Sequence, residues 1–332
     1  STLVLFDGRR QTVTGSTAND GSVFVNTSAI PVIALDRVEV LKEGAASVYG
    51  SDAVAGVVNY IFRRDFTGFE VDITSQETDL GSSKDNRGSF IWGMEEADTN
   101  IVLAYSTLSR SPLSQSELEL APLGVSGLGT SFLLFGASTV DSGPYAGTYS
   151  AFQNVPDPDC IANKGILIPQ ASGSRCGFKY GPRFNIVNDE DHDQLYFSIK
   201  TPLSDTINAE LDYLKAETEV YDNPQSPSYP ALSYLSPANA IAPGKGGNPF
   251  GVPALWLGRP LASAFPSPFA PREIEMDRLS FGLNGTYDNG FDWDFHITQS
   301  SEDNYGRQPD TGTSKLAAAI DGTDGRGETV EL

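Results

Sequence analysis

The chain has 332 residues, 39% of them hydrophobic, with a formal net charge of −21. That length supports a large core or more than one domain, and the acidic balance argues against a nucleic-acid partner, because phosphate recognition needs a basic face. No run approaches the ~20 apolar residues of a membrane helix, so any membrane would be crossed by strands.

Leu3 to Phe6 is a short apolar strand closed by Asp7-Gly8, a hairpin-type turn pair. Gln11 to Ser28 is polar and rich in Thr, Gly, Ser and Asn. From Arg37 to Leu41 polar and apolar residues alternate, as in a half-buried strand. Lys42 to Gly44 breaks that period, and Ala45 to Tyr49 can form a helical turn. Gly50, Ser51 and Asp52 punctuate. Ala53 to Ile61 is small and β-branched around Gly56, a strand that another backbone can approach closely. Arg63 and Arg64 end the apolar run. Pattern alone fits the strand, turn and strand of a small α+β domain.

The residue identities go further. Arg37 to Leu41 followed by Gly44-Ala-Ala-Ser-Val-Tyr-Gly-Ser-Asp-Ala-Val-Ala-Gly-Val-Val-Asn-Tyr-Ile61 resembles, without a gap, the end of the plug domain of TonB-dependent outer-membrane receptors. Val4 to Arg10 resembles the strand and turn that precede this motif, and Ile30-Pro31 the link into it. The resemblance covers residues 1–65. It implies a mainly β protein. Residues 1–65 would be the C-terminal part of an α+β plug. Residues 66–332 would be the first part of an antiparallel transmembrane β-barrel with long extracellular loops, an incomplete barrel truncated at both ends. In such plugs the Arg and Glu matching Arg37 and Glu39 lie against the barrel wall and help to hold and release the plug. The polar loop with Asn19 and Asp20 sits at the plug's outer tip, where it can touch ligand.

After residue 65 a period of two repeats in seven segments. They centre on Phe69–Ile73, Phe90–Trp92, Ile101–Tyr105, Leu195–Ile199, Ile207–Tyr213, Leu279–Leu283 and Phe291–Ile297, and most fit the ~9–11 residues of a tilted membrane strand. Links after the second, fourth and sixth are short: Glu95–Thr99, Pro202–Thr206 and Asp288–Gly290. Links after the third and fifth are long, near 110–191 and 221–273. Long and short links thus fall at opposite strand ends, the asymmetry of outer-membrane barrels. Asn208, Glu210 and Asp212 share one face and are costly in hydrocarbon. The apolar set is therefore expected to face lipid and the polar set the lumen, with Tyr105, Tyr213, Tyr287 and Phe291 as candidates for an interfacial girdle. Residues 1–65 carry six Lys/Arg against seven Asp/Glu and residues 66–332 carry 16 against 36, so the acid belongs to the second part.

Cys160 and Cys176 enclose a Gly- and Ser-rich loop and suit a disulfide in an oxidising compartment; two Cys without nearby His make a poor zinc set. Tyr145, Tyr149, Phe152, Tyr180, Tyr229, Tyr234 and Trp256 in the long loops are candidates for a ligand-facing surface. No nucleophile elbow and no phosphate-binding Gly loop is present, so neither an enzyme, a cofactor nor a metal site is expected. His192, in Asn188–Asp193, reads as a solvated loop end, and His296 as a structural side chain facing the lumen.

The family resemblance implies a transporter of the Gram-negative outer membrane. It would bind a scarce ligand outside and import it to the periplasm with inner-membrane energy. Its partners would be outer-membrane lipid, a TonB-type energy-coupling protein acting through an N-terminal box, and a small molecule. A ferric siderophore is the family default, and an oligosaccharide would suit aromatic-rich loops. A reading of another class is a secreted, soluble β-rich binding module.

Overall fold

A computed structural model describes residues 2–15, 21–42, 46–79, 81–118, 124–225, 236–245, 247–259, 266–287, 289–307 and 312–320. Two compact units result: Ser1–Pro112 with Val187–Asp222 and Pro271–Arg307, and Leu113–Ile186 with Asn223–Ala270 and Gln308–Leu332.

The first unit begins with a four-stranded sheet of β1 (Thr2–Phe6), β2 (Arg9–Arg10), β3 (Leu35–Leu41) and β4 (Gly56–Phe62), in the order β2-β1-β4-β3. Asp7 and Gly8 both take positive φ, 48° and 76°, which is why this dipeptide closes the β1–β2 hairpin. β1 runs parallel to β4, and β3 antiparallel to it. A four-residue helix, α1 (Ala46–Tyr49), and a 3-10 turn at Ser51–Ala53 join β3 to β4. Gly56 has φ +131°, and a Cβ there would lie 2.5 Å from the Leu41 carbonyl oxygen. Only glycine admits that approach of β3 to β4.

Five residues after β4 the chain enters a seven-stranded antiparallel sheet: β5 (Gly68–Glu77), β6 (Lys84–Glu96), β7 (Thr99–Arg110), β8 (Asp189–Ser204), β9 (Ile207–Asp222), β10 (Arg272–Thr286) and β11 (Asp292–Gly306). Each strand pairs with the next in sequence. Ala97 and Asp98, φ 50° and 61°, make the tight turn between β6 and β7. β8 and β9 are 16 residues each, longer than their apolar periods alone suggest.

The two faces of this sheet differ. Phe69, Val71, Ile73, Leu279, Phe281, Phe295 and Ile297 are exposed on the outward face, and Leu103, Phe197 and Tyr213 lie in register between them. The opposite face receives the four-stranded sheet and the segment that links β2 to β3. Its polar set is there, but so is an apolar patch that sequence reading does not anticipate. Ile91, Val102, Ala104, Tyr196, Leu214, Ala216 and Met276 pack with Phe6, Ala29, Ile30, Ala34 and Phe62 in one buried cluster. The inward face is therefore a dry seat for the N-terminal sheet as well as a polar wall.

The second unit is built from the long links. Asn154–Pro156, Ser131–Leu134 and Ala254–Trp256 form one small sheet, and Ile166–Pro169, Ser174–Lys179 and Val125–Ser126 another. Cys160 and Cys176 are buried and disulfide-bonded. Phe132, Leu134, Val155, Ile241, Phe250 and Ala254 form its core. Tyr145, Tyr149 and Trp256 pack on that core, and Tyr145 and Tyr149 meet the Phe250 ring edge to face. These rings are structural here, whereas Phe152 is 63% exposed; Tyr229 and Tyr234 lie outside the described residues.

Candidate functional site

The tie between plug and sheet centres on Arg64, two residues beyond the end of β4. Its Nε donates to Asp212 Oδ1 at 3.1 Å and its Nη1 to Glu210 Oε2 at 2.9 Å. Its Nη2 donates to the second Asp212 oxygen and lies 3.2 Å from Asp7 Oδ2. Asp212 also accepts from the Tyr196 hydroxyl at 3.1 Å, and Glu210 from Asn284 Nδ2 at 2.8 Å. Asp7 is held from the other side, where its Oδ1 accepts the Phe62 amide at 3.1 Å. Burial pushes the Asp7 carboxyl up to about 6, against the pull of Arg64 toward lower values. The surrounding carboxylates hold the Arg64 guanidinium above its ordinary value despite its burial.

A second guanidinium completes the cluster. Arg278 on β10 is 3% exposed and sits 5.6 Å from the Phe6 ring centroid. Its Nε and Nη2 make no hydrogen bond. The knot thus joins Asp7, Glu210 and Asp212 to Arg64 and Arg278. Phe62 stacks on Tyr196 beside it, centroids 4.5 Å apart. A buried ionic group of this kind is costly to assemble and more costly to break by removing one partner.

Smaller ties surround the knot. Arg63 grips Glu70 with two donors at 2.7 and 2.8 Å. Lys200 Nζ donates to Asp65 at 3.1 Å, and Arg9 Nη2 to Asp294 at 3.2 Å. Gln194 donates to the Ser28 carbonyl.

Sequence reasoning places plug–barrel coupling at Arg37 and Glu39. Both lie on β3 with half-exposed side chains. Arg37 Nε donates to Glu39 at 2.9 Å and Nη1 to Asp36 at 2.6 Å, and these neighbours raise the Arg37 guanidinium above its ordinary value. Glu39 also accepts from Asn59 at 3.4 Å. These polar partners belong to the same N-terminal segment, whereas Arg64 bonds the seven-stranded sheet directly. Asn19 and Asp20 lie outside the described residues. The sequence signal for Arg64 was present: a charge directly after an apolar strand, and two carboxylates at alternate positions of β9.

On the plug-facing side toward the long links, a cavity of about 660 Å³ opens between Thr27–Ile33 and the inward faces of β5 to β8. Asp72, Arg87, Ser89, Arg110, His192 and Gln194 help to line it. His192 is therefore not at a solvated loop end. It belongs to β8, where the ladder to β7 continues beyond the apolar residues, and its Nε2 lies 3.6 Å from Glu190. A second cavity, about 570 Å³, lies at the short-turn end among Asp205, Asn208, Asn284, Asp292 and Asp294. His296 faces inward in the same region, 3.7 Å from Asp294.

Comparison with known proteins agrees with this architecture. Residues 1–57 match the family model for the TonB-dependent Receptor Plug Domain. The iron-regulated outer membrane virulence protein of Vibrio cholerae is 38% identical over 65 residues, 19% of this chain and 10% of that protein. The chain therefore matches about a tenth of that relative's length. A mutant ferric enterobactin receptor from Pseudomonas aeruginosa, solved with enterobactin, superposes with a TM-score of 0.51 at 12% identity, covering 91% of this chain and 33% of that one. A second mutant of it gives 0.50 with the same coverage. At that identity the likeness is one of fold. Residues 1–57 are thus similar to the plug domain of TonB-dependent receptors, and the fold as a whole, with that segment seated on an antiparallel sheet whose outward face is apolar, resembles that of an outer-membrane ferric enterobactin receptor.

Proposed function

We propose that the protein takes up a ferric siderophore across the outer membrane, with residues 1–65 as part of the plug and 66–332 as part of the barrel. The observation that carries this is the Arg64 knot, which seats a small folded plug on the wall by contacts that can be broken as a set. The cavity beside that seat, between plug and wall, offers a ligand space of about 660 Å³, within the range of small-molecule sites. Two of the proteins it is similar to bear names that refer to iron regulation and to ferric enterobactin, which supports an iron chelate as cargo.

In this reading the outward apolar face meets lipid, and a TonB-type protein acts on a coupling box ahead of the plug. Arg37 and Glu39 keep a proposed coupling role through the exposed face of β3, and Asn19 and Asp20 a proposed ligand contact at the plug tip. Uptake of radio-iron-labelled ferric siderophores by iron-starved cells tests it. Deletion of the gene is expected to abolish uptake of one chelate, restored by the wild-type gene only when the energy-coupling protein is present. Unchanged uptake of every chelate tried would rule the reading out.

A further inference from the structure

We propose that the seven-stranded wall carries its own replacements for Arg64: when the N-terminal sheet leaves its seat, Arg278 closes on Asp212 and Lys200 on Glu210. This rests on the uptake reading above, in which the seat must open, and deepens it by assigning the residues that make the opening reversible. In the seated structure neither cation is used in that way. Arg278 on β10 is buried, its Nε and Nη2 make no hydrogen bond, and its guanidinium lies 5.6 Å from the centroid of the Phe6 ring on β1. Lys200 on β8 is turned to Asp65 of the N-terminal segment, to which it donates at 3.1 Å.

Strand register puts both cations beside the carboxylates they would take. Arg278 stands opposite Leu214, and Asp212 is the next position of β9 on the same face; such diagonal neighbours are within reach of long side chains. Lys200 stands directly opposite Glu210. What withholds them is the N-terminal segment itself. Phe6 covers Arg278, Asp65 holds Lys200, and Arg64 occupies both carboxylates. Phe6 is registered with Tyr60 in the β1–β4 ladder, and Arg64 and Asp65 follow β4 directly, so one displacement removes all three. The charges then balance on both sides. Arg278 and Lys200 remain on the wall against Asp212 and Glu210, and Arg64 departs with Asp7, 3.2 Å away, as its own partner. Without the exchange, Glu210 and Asp212 would be left as unpaired like charges at alternate positions of one strand face, a costly way to open an ionic contact.

The test holds the full-length receptor in lipid nanodiscs and pulls its N-terminus with magnetic tweezers, at the force where the N-terminal sheet hops between seated and unseated. Arg278→Met is expected to shift the populations about tenfold toward the seated state, because a charge-assisted pair is then missing only when the sheet is away. Arg278→Lys is expected to restore most of the original ratio. Lys200→Met is expected to shift the populations roughly threefold in the same direction, since its bond to exposed Asp65 contributes little. The Lys200 side chain is partly exposed, so its variant folds even if an Arg278 variant does not. In an Asp212→Asn background the Arg278→Met shift is expected to vanish. Shifts toward the unseated state would mean that Arg278 only packs on Phe6 and that Lys200 only ties Asp65. A shift that survives Asp212→Asn would mean that Arg278 only repels Arg64. Either result overturns the inference, as does unravelling of the sheet without two-state hopping. The uptake reading is decided separately by the chelate assay above, which scores cargo and not the seat.

Discussion

Arg64 bridges two wall carboxylates and one plug carboxylate, so the cost of removing it is set by what it leaves behind. Arg64→Met strands Asp212, 3% exposed, beside Asp7 and Glu210. The plug seat is expected to weaken by ~3–5 kcal/mol, read as faster proteolysis of residues 1–65 in an otherwise folded receptor. Adding Asp212→Asn to that variant should recover part of the loss, because coupled partners are not additive. Asp7 gives the seat a pH dependence. Its folded value, about 6, lies above the ordinary carboxyl value of 3.8, so between those limits the folded chain binds the extra proton. The stabilising effect of that proton is full below the lower value and is lost as pH rises through the upper one. Protease resistance of the plug should therefore fall between pH 4 and 6, and Asp7→Asn should flatten the profile while keeping the Phe62 amide bond through its side-chain oxygen.

At the scale of elements, strands were legible and their pairings of charge were not. Period two located all seven wall strands, because each buries one face and exposes the other. It placed the start of β8 too late. Asp189–Asp193 has no apolar alternation, yet the ladder to β7 and β9 carries it into the strand. The Arg64–Asp212 pair spans 148 positions, and only folding shows which of many charges meet. Tyr145 and Tyr149 looked like a ligand surface because sequence cannot tell a loop from a loop with its own core. Two substitutions probe the elements. Gly56→Val puts a branched side chain where φ is +131° and the Leu41 carbonyl is in contact, and it should prevent β3 from pairing with β4, seen as loss of plug protection in hydrogen exchange. Cys160→Ser with Cys176→Ser should cost the second unit about 3 kcal/mol and leave exchange in β1 to β4 unchanged.

Over the whole molecule, the outward face has the dimensions of a membrane band. On β9 and β10 it begins where Tyr213 donates to Asp277 at 2.6 Å. It ends near Tyr287 and Trp293, whose rings lie 6.3 Å apart. Nine residues of strand cover roughly 30 Å, and a tilt of about 40° leaves a band of about 23 Å, close to the apolar height of outer-membrane barrels. Beyond Tyr213 the same face carries Glu217, Glu273 and Glu275, groups suited to water and not to hydrocarbon. Leu283→Arg, at the middle of the band on β10, should destabilise the inserted receptor by about 2–4 kcal/mol, measured as a lower urea midpoint in lipid vesicles. Glu217→Arg, outside the band, should not.

The parallel pairing of β1 with β4 has a mechanical meaning. β1 and β4 share five registered pairs, Thr2 with Gly56 through Phe6 with Tyr60. In the uptake reading proposed above, tension applied to β1 and resisted at Arg64 would pull the two strands past each other lengthwise. All five rungs then carry load together instead of opening one by one. The two strands would travel as one piece until the anchor at Arg64 gave way, and the weakest link under traction would be the ionic anchor rather than the ladder.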